Sequence, residues 1–112
     1  MKQIDPIAAA RSAVAAHPER PATATIHDSE DARLVVFRLG PGQKVAPHRS
    51  RSSVMIHVLE GSGILSGQDQ EVRCARGAVV TYDPEELHGM RAEEEELLLM
   101  ATIAPRPGTA NR

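Results

Sequence analysis

Between Pro41 and His88, short apolar runs alternate with Gly, Pro, Asp and Ser at tight intervals. Gly40-Pro41-Gly42, Glu60-Gly61-Ser62-Gly63, Gly67-Gln68-Asp69 and Arg76-Gly77 each stop a run of apolar residues. A chain punctuated in this way folds as many short strands joined by tight turns. Thr23 to His27 reads as the first strand, Asp28 to Asp31 as a turn, and Arg33 to Leu39 as the next strand. There Val35, Phe37 and Leu39 share one face while Leu34 and Val36 share the other, so that strand is covered on both sides. Val54 to Leu59, Ile64 to Ser66, Glu71 to Cys74, Ala78 to Tyr82 and Leu97 to Ile103 are the clearest of those that follow. The acidic run Glu93 to Glu96 reads as a solvated edge or turn. The total is roughly eight to ten strands without alternating helices, which excludes a doubly wound α/β fold.

Ahead of the strands lies the Ala-rich run Ile7 to Ala16. Asp5 followed by Pro6 is a helix-start signal, and His17-Pro18 and Arg20-Pro21 end it. The expected organisation is an N-terminal helical arm over residues 1–22, a barrel over 23–104, and a poorly ordered tail over 105–112.

Composition removes several classes of function. The formal charge is −2, and Phe37 and Tyr82 are the only Phe, Tyr or Trp residues, so neither a basic footprint nor a stacking platform for nucleic acid is present. No apolar run approaches the ~20 residues of a membrane helix. The first residues carry one Lys, then Asp5 and Pro6, without an apolar run, so no secretory signal is expected. With the lone Cys74, this leads to an expected cytoplasmic location. A small aliphatic core gains stability by covering a sheet, so a homodimer is expected.

The residues from Gly40 to Ile103 resemble the cupin superfamily of small double-sheet jelly-roll barrels. The first motif of that family is Gly, five residues, His-x-His, three or four residues, Glu, six residues, Gly. Gly42 and His48 match it, Ser50 stands at the second His, and Val54 stands at the Glu counted back from Gly61. In the second motif Gly77 and His88 keep their places, while Asp83, Glu85 and Ala92 replace Pro, Gly and Asn. The resemblance implies a single-domain, all-β jelly-roll barrel with a pocket at its mouth lined by His48 and His88, beside Ser50, Val54 and Tyr82. It also implies a divalent transition metal (Fe, Mn, Ni, Cu or Zn) where the ligands are complete. Two imidazoles alone make a weak site, because no carboxylate offsets dehydration of the ion.

His57 is the candidate third ligand. Strand alternation turns Val54, Ile56 and Val58 inward and places His57 outward with Met55 and Leu59. A one-residue bulge in the preceding Ser-rich stretch would turn it inward. The leading expectation is therefore a pocket that binds a small polar ligand. The alternatives are a metal-dependent oxygenase or isomerase using His48, His88 and His57, and a structural or partner-binding subunit. Cys74 reads as a small buried hydrophobe, and Gly61-Ser62-Gly63 lacks the following helix of a phosphate loop.

Overall fold

The computed structural model describes residues 1–108; residues 109–112 of the expected tail lie outside the described residues. Helix α1 (Pro6–Ser12) starts as its sequence dictates, with Asp5 Oδ1 accepting from the Ile7 and Ala8 amides at 3.0 and 3.1 Å. It ends at Ser12, well before the prolines. Ala13 is already extended at ψ 142°, and the Arg38 guanidinium donates to the freed carbonyls of Ala10 at 3.1 Å, Arg11, and Ala13 at 3.0 Å. A tertiary cation thus caps the helix where the local sequence shows no stop.

Among the described residues seven strands follow: β1 (Ala22–Asp28), β2 (Arg33–Leu39), β3 (Lys44–His48), β4 (Ser53–Ser66), β5 (Glu71–Ala75), β6 (Val79–Tyr82) and β7 (His88–Ala104). The count is below the expected one because β4 and β7 are each continuous where the sequence reads as interrupted. Both bend instead of turning, with register shifts between Val58 and Glu60 and between Gly61 and Gly63. Gly61 is at φ +77°, and a Cβ there would lie 1.9 Å from the Glu96 carbonyl oxygen, so only glycine permits the crossing. The acidic run lies inside β7, and three of its four carboxylates have partners: Glu93 meets Arg73, Glu95 accepts from Ser62 Oγ at 2.7 Å, and Glu96 meets Arg11 at 3.0 Å.

The bends let two strands serve two layers. The first half of β4 lies between β6 and the second half of β7, which continues to β2 and β1. The second half of β4 lies between β5 and the first half of β7, which continues to β3. The result is a double-stranded β-helix in which the sheet does not close, since among the described residues β5 and β6 each pair with β4 and with no other strand. No strand was expected over Lys44–His48, where Pro47 lacks a backbone donor. Strand β3 forms there as an edge strand, where that loss is tolerated.

The interior is packed with Leu39, Ile56, Val58, Leu65, Leu97 and Leu99, all at most 1 % exposed. Each such side chain contributes about 1.5–3 kcal/mol by burial. A second cluster joins Ala10 of α1 to Val36 and Leu98 on the outer face. The two-sided cover read for β2 is thus met inside by the barrel and outside by the chain's own arm.

Candidate functional site: an imidazole pair at the barrel rim

His88 opens β7 and His48 closes β3, and the two are direct partners in the β3–β7 ladder. His88 shares its face with Met90 and Ala92, both buried in the barrel core, so period-two alternation turns its ring inward. The two imidazoles lie 4.2 Å apart between centroids, edge to face, and the Tyr82 ring lies 5.2 Å from His88. His88 is 5 % exposed, whereas His48 is exposed.

The same local device fixes both rings. His48 Nδ1 lies 3.1 Å from the Ala46 carbonyl, and His88 Nδ1 lies 3.1 Å from the Glu86 carbonyl, two residues back in each case. A carbonyl only accepts, so each Nδ1 carries the proton and donates it. In the neutral ring this leaves Nε2 as the acceptor. Burial pushes the His88 pKa below its ordinary value, and the neighbouring His48 adds to this against the opposing pull of the Glu86 carbonyl and carboxylate. The net effect favours the neutral ring of His88.

Tyr82 is buried and donates its hydroxyl to the Ser66 carbonyl at 2.9 Å. Its pKa is pushed up to about 12, first by burial and then by Cys74 and Glu86, so it remains a phenol. Val54, the Cα partner of Tyr82, is buried in the barrel core. Ser50 is half-buried and its polar groups serve the backbone. Its Oγ donates to the Ser52 carbonyl at 3.3 Å, and its own carbonyl accepts from the Glu85 amide at 2.7 Å. That second bond ties together the two loops that flank the imidazoles. Burial raises the Cys74 thiol, which is a packed apolar group.

His57 stands on the outer face of β4, exposed, between inward-facing Ile56 and Val58. The bulges of β4 come after it, at Val58–Glu60 and Gly61–Gly63, so nothing shifts its alternation. The structure brings His48, His88 and Tyr82 together and leaves His57 apart from them.

The ligand set for a metal of the kind the family resemblance implies does not fit here. Two imidazoles with free Nε2 atoms suit an ion, but the other two motif positions present a hydroxyl committed to backbone and an isopropyl group. Among the described residues, no cluster of three or more His, Cys, Asp or Glu side chains is placed to hold an ion. The expected His-lined pocket is also altered. The barrel below the pair is filled by side chains, and the grooves found lie beside the imidazoles without being lined by either. Sequence reasoning missed the Ala46 and Glu86 carbonyls that hold the rings. Their common spacing, two residues before each His, is the signal that could have found them.

Among the described residues, no helix is long and apolar enough to cross a membrane. None of the curated proteins matches this sequence. A solved RmlC-like cupin protein from Desulfovibrio desulfuricans is 30% identical, with 94% of this chain and 97% of that chain covered and a TM-score of 0.79. A protein of known structure from Thermus thermophilus is 27% identical, covering 87% and 94% of the two chains at a TM-score of 0.79. A predicted oxalate decarboxylase from Thermotoga maritima is 23% identical over 76% and 80% of the chains at a TM-score of 0.72, a likeness of fold. The cupin domain profile itself matches residues 35–103, well over half of the sequence. This chain belongs to the cupin family.

Proposed function

We propose that this cupin binds a small polar molecule at the His48–His88 pair and does so without a tightly held metal. The observation that carries the reading is the double anchoring of the rings. Both Nδ1–H groups are spent on backbone carbonyls, so in their neutral forms the two rings offer two acceptors side by side at the barrel rim. A ligand that satisfies both brings two hydrogen-bond donors, as a diol or an amide does. Because His88 is largely desolvated, its bond to such a donor is worth more than the same bond in open water. Tyr82 backs the His88 ring and keeps its hydroxyl on Ser66, so it positions the ring and leaves the ligand to the imidazoles. Binding and orientation are the whole of this chemistry: the site holds no activated nucleophile.

The test is a nitrogen-detected imidazole titration with glycerol as the probe and acetate as the control, above pH 7. Glycerol moves the Nε2 resonances of His48 and His88 together, acetate moves neither, and His48→Ala removes the response. Unmoved imidazole resonances, or stoichiometric metal on the purified protein, would overturn the reading.

A further inference from the structure

The unclosed side of the barrel forms a second cavity, which neither imidazole lines but which shares Tyr82 and Glu86 with the surroundings of His88. Strands β5 and β6 pair with opposite halves of β4 and diverge from the tight turn that joins them. The wedge between their free edges is a slot of about 270 Å³ under the hairpin turn 67–70. Its floor is apolar, made by Leu65, Val72 and Val80. Val72 is one of the few large apolar side chains left open, at 42 % exposure. Asp69 and Glu86 are exposed at the slot, Tyr82 is buried behind it, and every other residue of the wall is uncharged. Glu86 Oε1 accepts from the Asp83 amide at 2.9 Å, which sets the carboxylate in place and leaves its second oxygen free of that bond. Arg49 touches the rim at Gln68, whose Oε1 accepts from it at 2.7 Å.

An apolar floor beneath two carboxylates, with no basic side chain in the wall, selects one class of ligand. We infer that the β5–β6 slot binds a small alkylammonium ion, its aliphatic tail on Leu65, Val72 and Val80 and its ammonium between Asp69 and Glu86. The tail covers the open apolar surface of Val72 and Val80, with buried Leu65 beneath them. The three N–H donors meet carboxylate acceptors, and a carboxylate-bearing ligand of the same length meets like charge instead. The larger groove nearby, about 780 Å³, is lined by both signs (Lys44 and Arg91 with Asp69 and Glu71) and has no such preference.

The experiment is an amide-resolved NMR titration of the full chain with n-butylammonium, 1-butanol and butyrate. Butylammonium gives saturable shifts at residues 67–70, 80–82 and 86; butanol binds at least about fivefold more weakly, and butyrate gives none. Asp69→Asn, in an exposed turn, weakens butylammonium by about two- to fivefold, and added salt weakens it in the wild type. Equal binding of butyrate, shifts that fall elsewhere, or no saturation by about 50 mM overturns the inference. His48→Ala leaves butylammonium binding unchanged while abolishing the glycerol response. If it removes both, the slot is not a site of its own and the inference fails.

Discussion

Replacing Gly61 by Ala tests the crossing on which both layers depend. Two terms add. At φ +77° an Ala in the left-handed region costs about 1–2 kcal/mol. Its Cβ would also sit 1.9 Å from the Glu96 carbonyl oxygen and 3.0 Å from its carbon, backbone atoms that yield only if β7 moves. Such overpacking costs about 1–3 kcal/mol. The sum, about 2–5 kcal/mol, is a large part of the ~5–15 kcal/mol that holds a domain of this size together. Gly42 supplies the control, because its φ is +79° and a Cβ there meets nothing within 4 Å. Gly42→Ala therefore carries the backbone cost alone. Urea unfolding of both variants at equal slope isolates the contact as the difference in stability, at least about 1 kcal/mol in favour of Gly42→Ala. Equal losses in the two variants would refute the argument that the β4–β7 crossing requires glycine for space.

The remaining predictions concern the rim, the arm and the outer face. Glu85 is held at φ 69° without a glycine's freedom, so Glu85→Gly stabilises the fold by about 0.5–1 kcal/mol in the same assay; a loss would show that its side chain contributes more than its backbone costs. His88, with its folded pKa below the unfolded value, binds fewer protons folded than unfolded, so its contribution is full above about pH 6.5 and is lost as pH falls through that value toward the folded pKa. The urea midpoint of the wild type therefore drops on acidification through this window, and His88→Gln drops less; parallel profiles would contradict the assignment. Arg38→Leu removes the cap of α1, costs about 2 kcal/mol and speeds amide exchange in residues 7–12 ahead of the barrel. The homodimer expected from sequence would use the outer face around Val79, which is 58 % exposed, so Val79→Glu lowers the sedimenting mass of a dimer; an unchanged dimer would place its interface elsewhere.

The elements that were legible in the sequence are those set by local rules. Arg33–Leu39 forms as read, residue for residue, and Val54, Ile56 and Val58 turn inward while His57 turns out, because the period of two leaves no choice once the strand is regular. The cap at Asp5 was equally plain. Long-range partners decided the rest. Gly61 and Gly63 look like a turn in sequence, yet they are the thin points where β4 crosses β7, a role visible only once Glu96 and Arg91 face them. The acidic run reads as solvent-facing until Arg73, Ser62 and Arg11 arrive from other elements. At the site, the pairing of His48 with His88 followed from the family motif. What fills the positions between them, a core valine and a serine tied to its own loop, required the packing to be seen. The β5–β6 slot had no sequence signal, since its floor and rim come from separate stretches that share neither motif nor period.

The central claim is that the rim holds an imidazole pair and not a metal centre. Elemental analysis of protein purified without chelators or a nickel-charged tag tests it most directly, followed by thermal unfolding with added Fe, Mn, Ni, Cu or Zn. The account predicts less than about a tenth of an equivalent of any transition metal and an unmoved Tm. Near-stoichiometric metal, or a rise in Tm with one of these ions that is lost in His48→Ala, would contradict it.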